Sequence, residues 1–343
     1  MIAGDLFDSS SADKPTVARG LEALGGLGVD VYIIPGNHDH GGQGSLWQQE
    51  FFQQELARYR ERIHILRERK PVVRGDAVIL PAPLLSIRES DDPTTWIRDA
   101  FSADTSVPAD RPRIVLAHGS VQDFSATGED DDEESRAANH IMLERLPARE
   151  IDYIALGDWH GMKVIPRYSK AWYSGTPEID RHPKGEANRP GHVLVVEASR
   201  GLEPKVDPVV TTGIRWITHT TELAAGQVAR LDAHLEALLG TTLSDSVLQL
   251  TLTGILGLQD RVELSRRIES IRARLVDLQL SDLTVAQPSP EERASLTGRS
   301  SDPLIQSVAA RLLQQLESGG AEGRKADLAL QLLYTEIHEG HGA

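Results

Sequence analysis

The sequence predicts an α/β protein whose polar groups gather at the C-terminal ends of strands, and three observations predict it. Four short apolar runs, at residues 1–8, 31–39, 113–118 and 151–160, each stop abruptly on Asp, Asn or His. Between the first two, Val17, Leu21 and Leu24 recur at helical spacing until the Gly25-Gly26-Leu27-Gly28 cluster. That makes a strand–helix–strand unit, the building block of a parallel sheet, and the C-terminal edge of such a sheet is where open α/β folds place their sites. Further on, strand-like runs at 172–177, 191–197 and 214–220 follow one another without helices, which predicts a mixed or antiparallel far half.

Taken in order, the first run is the end of a strand whose Gly4-Asp5 turn already forms the rim, with Asp8 just beyond. A helix over 14–24 leads to the strand entering Pro35-Gly36-Asn37-His38-Asp39. After a Gly-rich loop, Ser45 is expected to cap one helix through Trp47, Phe51, Phe52 and Leu56. A basic stretch follows, Arg58, Arg60, Arg62, Arg67, Arg69, Lys70 and Arg74 against Glu61 and Glu68, read either as a solvated surface or as a phosphate-contacting patch. A strand at 77–81, a short helix at 95–101, an acidic loop at 128–134 and a helix over 135–146 complete the region before the last polar-ended strand.

From about Thr221 the pattern changes. Helical spacing at Val228, Leu231, Leu235 and Leu238, alternation at Leu248, Leu250 and Leu252, a helix through Leu264, Ile268, Ile271 and Leu275, and a strand near 278–285 predict a small α+β accessory domain. Pro288-Ser289-Pro290 opens a polar linker, and Asp302-Pro303 caps a helix through Leu304 and Leu316 ahead of a last one over 325–337. The expected domains are 1–220, 221–290 and 291–343.

Composition sets limits. With 51 Asp and Glu against 36 Lys and Arg, the net charge of −15 opposes non-specific adsorption to nucleic acid or anionic membrane, so a polyanionic partner needs a local basic patch or bound cations. The absence of cysteine excludes disulfides, zinc–thiolate sites and iron–sulfur clusters. No apolar run reaches the roughly eighteen residues of a spanning helix and the N-terminus carries no secretion signal, which predicts a soluble, cytoplasmic protein without membrane partners.

The strand-end set Asp5, Asn37, His118, Asp158 and His160 mixes carboxylate, amide oxygen and imidazole, a combination suited to manganese or iron, with zinc less apt. Two such ions sharing a carboxylate, here Asp5, would clamp both oxygens of an in-line phosphoryl displacement.

Gly4-Asp5-Leu6-Phe7-Asp8, Gly36-Asn37-His38-Asp39, the His118 strand and Gly157-Asp158-Trp159-His160 resemble, in order, the motifs of calcineurin-like metallophosphoesterases. The segment Tyr173-Ser174-Gly175-Thr176-Pro177, the 191–197 strand and the accessory region are similar to SbcD-like DNA-repair exonuclease subunits. The resemblance implies a four-layer α/β sandwich of two packed mixed sheets, two divalent ions, DNA as substrate and an SbcC-like coiled-coil ATPase as partner. It further implies that Asp5 bridges the ions, that Asn37, His118 and Asp158 hold one and His160 the other, and that His38 assists the leaving oxygen with Asp39 as its orienter. A homodimer is compatible with it.

Two departures set further expectations. Asp158 stands where the last motif usually has histidine, and the opening Asp-x-His motif is not in the chain. The first ion would then keep only Asp5 and His160. A recorded start that is too late is the favoured expectation. The alternatives are a hydrolytically inactive scaffold subunit and a small-molecule phosphoesterase of the same fold.

Overall fold

The computed structural model describes residues 1–102, 107–121, 138–182, 189–240, 243–298 and 302–339. They fall into two compact units, Met1–Thr212 and Gly213–Ala343.

The first unit is of mixed α/β type and centres on a six-stranded sheet in the order Lys163–Ile165, Tyr168–Tyr173, Tyr153–Gly157, Arg113–His118, Ala77–Ala82, Val72–Arg74. The four inner strands run parallel and each outer strand pairs antiparallel. A parallel sheet buried on both faces needs continuous apolar strands, and every residue of Arg113–His118 is buried. Val78, Leu80, Val115, Ala117, Ile154 and Leu156 supply one side of the core. On the opposite side, Ile79 and Leu116 pack with Ile34 of a second, all-parallel sheet formed by Ile2–Ala3, Val31–Ile34 and Ile63–Ile65. Helix Lys14–Gly25 covers this smaller sheet with Val17 and Leu21, starting where the Asp13 carboxylate accepts the Thr16 N–H at 2.8 Å. His192–Glu197 and Lys205–Val210 form a separate antiparallel pair.

The second unit carries parallel strands Arg215–Ala224, Ser246–Leu256 and Asp277–Asp282, with Val285–Ala286 also pairing to the middle one. Helices Leu231–Leu239 and Leu258–Arg272 make the crossovers and meet the strands on a leucine-rich core. Helices Pro290–Thr297, Pro303–Ser318 and Gly320–Glu339 share a further cluster around Leu296, Leu313 and Leu330.

Four expectations change. The boundary expected at 220/221 would cut Arg215–Ala224, which is paired along its whole length with Ser246–Leu256, so the chain divides before that strand. The helix expected from Ser45 is interrupted: Leu46–Gln48 is one 3-10 turn, Gln49 is extended with ψ 139°, and Glu50–Leu56 starts anew. Of the helix expected over 135–146, the described part is a short strand, His140–Ile141, and a 3-10 turn, Leu143–Arg145, while 135–137 and the acidic run 128–134 lie outside the described residues. The polar linker after Pro288 contains helix Pro290–Thr297, held by a capping box in which Ser289 and Glu292 satisfy each other's backbone N–H.

Candidate metal centre

Four parallel strands, two from each sheet of the first unit, deliver side chains to one point. Asp5 follows Ile2–Ala3 and Asn37 follows Val31–Ile34, neighbours paired Ala3 to Ile34. His118 ends Arg113–His118 opposite Gly157, and Asp158 comes next. The approach depends on missing side chains. A Cβ on Gly4 would stand 2.1 Å from His118 Nδ1, one on Gly36 2.1 Å from Asp5 Oδ1, and one on Gly157 1.8 Å from the Ala3 carbonyl oxygen. Asp5 and Asp158 themselves have φ of +51° and +106°, values that L residues seldom adopt and that here aim two carboxylates at one histidine.

His118 is buried and sits at the centre. Its Nδ1 donates to the Ala3 carbonyl at 2.7 Å, which fixes the ring and leaves Nε2 for the site. Around Nε2 stand Asn37 Oδ1 at 2.8 Å, Asp5 Oδ2 at 3.3 Å and Asp158 Oδ1 at 3.8 Å. Burial alone would lower the His118 pKa, but the Asp5 carboxylate, then Asp158 and the Ala3 carbonyl, push it up to about 9. Asp5 shows the reciprocal effect: against the cost of burial, His118 and the His38 backbone N–H, which donates to Oδ1 at 3.0 Å, bring its pKa down.

This donor set fits a divalent cation. Adjacent ligands of an octahedral ion with bonds of about 2.1 Å stand about 3 Å apart, and Asn37 Oδ1 and Asp5 Oδ2 flank His118 Nε2 at 2.8 and 3.3 Å. Histidine, aspartate and glutamate alone form no metal-holding group of three among the described residues; the amide oxygen of Asn37 completes this one. Ser120 Oγ donates to the far oxygen of Asp158 at 2.8 Å and aims the near one inward.

The remaining sequence-selected residues are placed differently. His160 does not reach Asp5; its Nδ1 lies 3.3 Å from Asp180 Oδ2. Asp39 does not orient His38. Fully buried, its carboxylate accepts the Gly36 N–H at 2.7 Å and the Phe7 N–H at 3.2 Å and ties the two rim loops together. His38 is half exposed, and its Nδ1 donates to the Asp8 carbonyl oxygen at 3.1 Å. Two members of the basic stretch are engaged internally, Arg67 on the Gly41 carbonyl and Arg69 with Glu89, while Arg58 and Lys70 sit in exposed surface pairs with Glu55 and Glu68 and Arg74 is exposed. Arg60 and Arg62 are exposed. Sequence reasoning passed over Ser120 and Asp180, and named Tyr173 within a motif segment without giving it a role; its hydroxyl donates to the Gly119 carbonyl at 2.7 Å and accepts the Val121 N–H at 3.2 Å. Ser120 and Asp180 lie in none of the four polar-ended runs.

Fold and site together define an α/β domain with divalent-metal donors at converging strand ends. Residues 1–162, a little under half of the chain, match the family model described as calcineurin-like phosphoesterase, and that likeness points to metal-dependent phosphoester hydrolysis. No curated protein matches the chain. No helix among the described residues is long and apolar enough to cross a membrane.

Proposed function

We propose that the chain is a divalent-metal phosphodiesterase acting on DNA, and the observation that carries the hydrolytic part is the convergence of Asp5, Asn37 and Asp158 on His118 Nε2. These four residues would hold a manganese ion, with iron or zinc as substitutes. When bound, a divalent ion supplies positive charge at the phosphoryl oxygens and lowers the pKa of a water. The protein supplies the rest. Asp39 keeps the two rim loops in register, His118 is locked in one tautomer by Ala3, and Asp5 is held by the His38 N–H. With Nδ1 of His38 donating to Asp8, its Nε2 is the nitrogen available to deliver a proton to the leaving oxygen.

The test is manganese-dependent hydrolysis of bis(p-nitrophenyl) phosphate. His38→Ala is expected to lose about 10²–10⁴ in rate while keeping manganese, and His118→Ala to lose manganese as well. Manganese uptake without hydrolysis would favour the scaffold role. The clustered donors support one ion. Calorimetry is expected to give one equivalent of manganese; two equivalents would mean that His160 leaves Asp180 to join Asp5.

DNA as substrate, the four-layer sandwich and a coiled-coil ATPase partner rest on the motif resemblance, a cytoplasmic location rests on the sequence composition, and all four remain part of this proposal. A second reading, a small-molecule phosphoester, is favoured by the internal engagement of Arg67 and Arg69, which takes two cations out of the basic stretch. DNA binding at low salt that weakens as salt rises supports the first reading; hydrolysis of the small diester with no DNA binding supports the second.

A further inference from the structure

Outside the metal centre, two imidazoles face each other within the second unit. His219 lies on strand Arg215–Ala224 and His234 on helix Leu231–Leu239, and their Nε2 atoms are 3.0 Å apart, with ring centroids 5.1 Å apart and planes inclined at 41°. The backbone sets this approach. His219 alternates with Leu223 on the face turned to the leucine core, and His234 immediately precedes buried Leu235, so packing pins both Cα positions. Burial first, and then the neighbouring ring, hold His219 below the usual histidine pKa, so near pH 7 it offers a lone pair rather than a charge.

A separation of 3.0 Å decides what such a pair can hold. With metal–nitrogen bonds of about 2.0–2.1 Å, two imidazoles at adjacent corners of a square-planar or tetragonal ion stand about 2.9 Å apart, and two on a tetrahedral ion about 3.4 Å. The observed spacing matches the first. We propose that His219 and His234 form a chelating site for a tetragonal divalent cation of the copper(II) or nickel(II) class, completed by water, which fastens the strand to the helix. The competing description is a single N–H···N hydrogen bond with no ion-binding role.

The probe is copper(II)–iminodiacetate, which leaves adjacent positions open for two imidazoles, titrated into the full chain at pH 7.4 with paramagnetic resonance detection. The expected result is one equivalent with a two-nitrogen signature that His219→Gln, His234→Gln and the double variant each lose, together with a copper-induced rise in Tm confined to the parent protein. Zinc is expected to bind at least tenfold more weakly. His234 is exposed, so its variant is expected to keep the parent circular dichroism and manganese-dependent hydrolysis, which separates this site from the first unit's chemistry. Equal two-nitrogen signals in parent and variants, or zinc binding as tightly as copper, would overturn the proposal.

Discussion

Asp39 shows how one buried carboxylate can organise a site it does not enter. It has no solvent exposure, and burial is the first cause that pushes its pKa up, yet two backbone N–H groups from loops far apart in sequence stabilise its charge. Asp39→Ala would leave both donors unpaired and is expected to cost about 3 kcal/mol, read as a shift in the urea midpoint, with manganese affinity falling in parallel. Its role was not legible beforehand because contacts to distant backbone carry no side-chain signature. His118 was legible as the polar last residue of an apolar strand, and Asn37 as the first polar residue after the Pro35-Gly36 break that follows another. His160 was not: its position depends on Asp180, which no periodic pattern presents. His219 supports a prediction with a definite sign. Its pKa is lowered by folding, so the native pair carries no penalty well above the ordinary histidine value and becomes less favourable as pH falls through and below it. The stability of the parent relative to His219→Gln is therefore expected to decline between about pH 7 and pH 5, as measured by Tm at matched ionic strength.

At the level of elements, the strands were easier to foresee than the connections. Arg113–His118 is apolar and buried throughout, and nothing competes with that assignment. Lys205–Val210 escaped because Pro208 interrupts it and almost all of it is exposed, so its pattern shows no buried face. Helix Pro290–Thr297 escaped for a different reason: Ser289 and Glu292 stand at capping-box spacing, but the prolines around them suggested a loop. Ser289→Ala removes one half of that box and is expected to destabilise the second unit by about 1 kcal/mol, measured by chemical denaturation of a fragment covering that unit. Gln49 marks the opposite case, an extended residue inside an apolar pattern that still reads as one helix.

Across the whole molecule, each unit encloses its own apolar clusters, the first around Val115, Leu156, Leu21 and Ile33, the second around Leu235, Leu250 and Leu313. A fragment of residues 213–343 is accordingly expected to unfold cooperatively by itself, with an amide-exchange pattern matching that of the same residues in the full chain. Asp158 sets stability against site chemistry. A side chain held at φ +106° costs on the order of 1–3 kcal/mol, and glycine at that position would remove the penalty along with a carboxylate that crowds Asp5 around His118. A population of this gene evolved in the laboratory for heat resistance alone would drift toward that replacement. Its survivors would be the hardier molecules and would have discarded an ion ligand, so thermal tolerance is a misleading guide when choosing variants to keep.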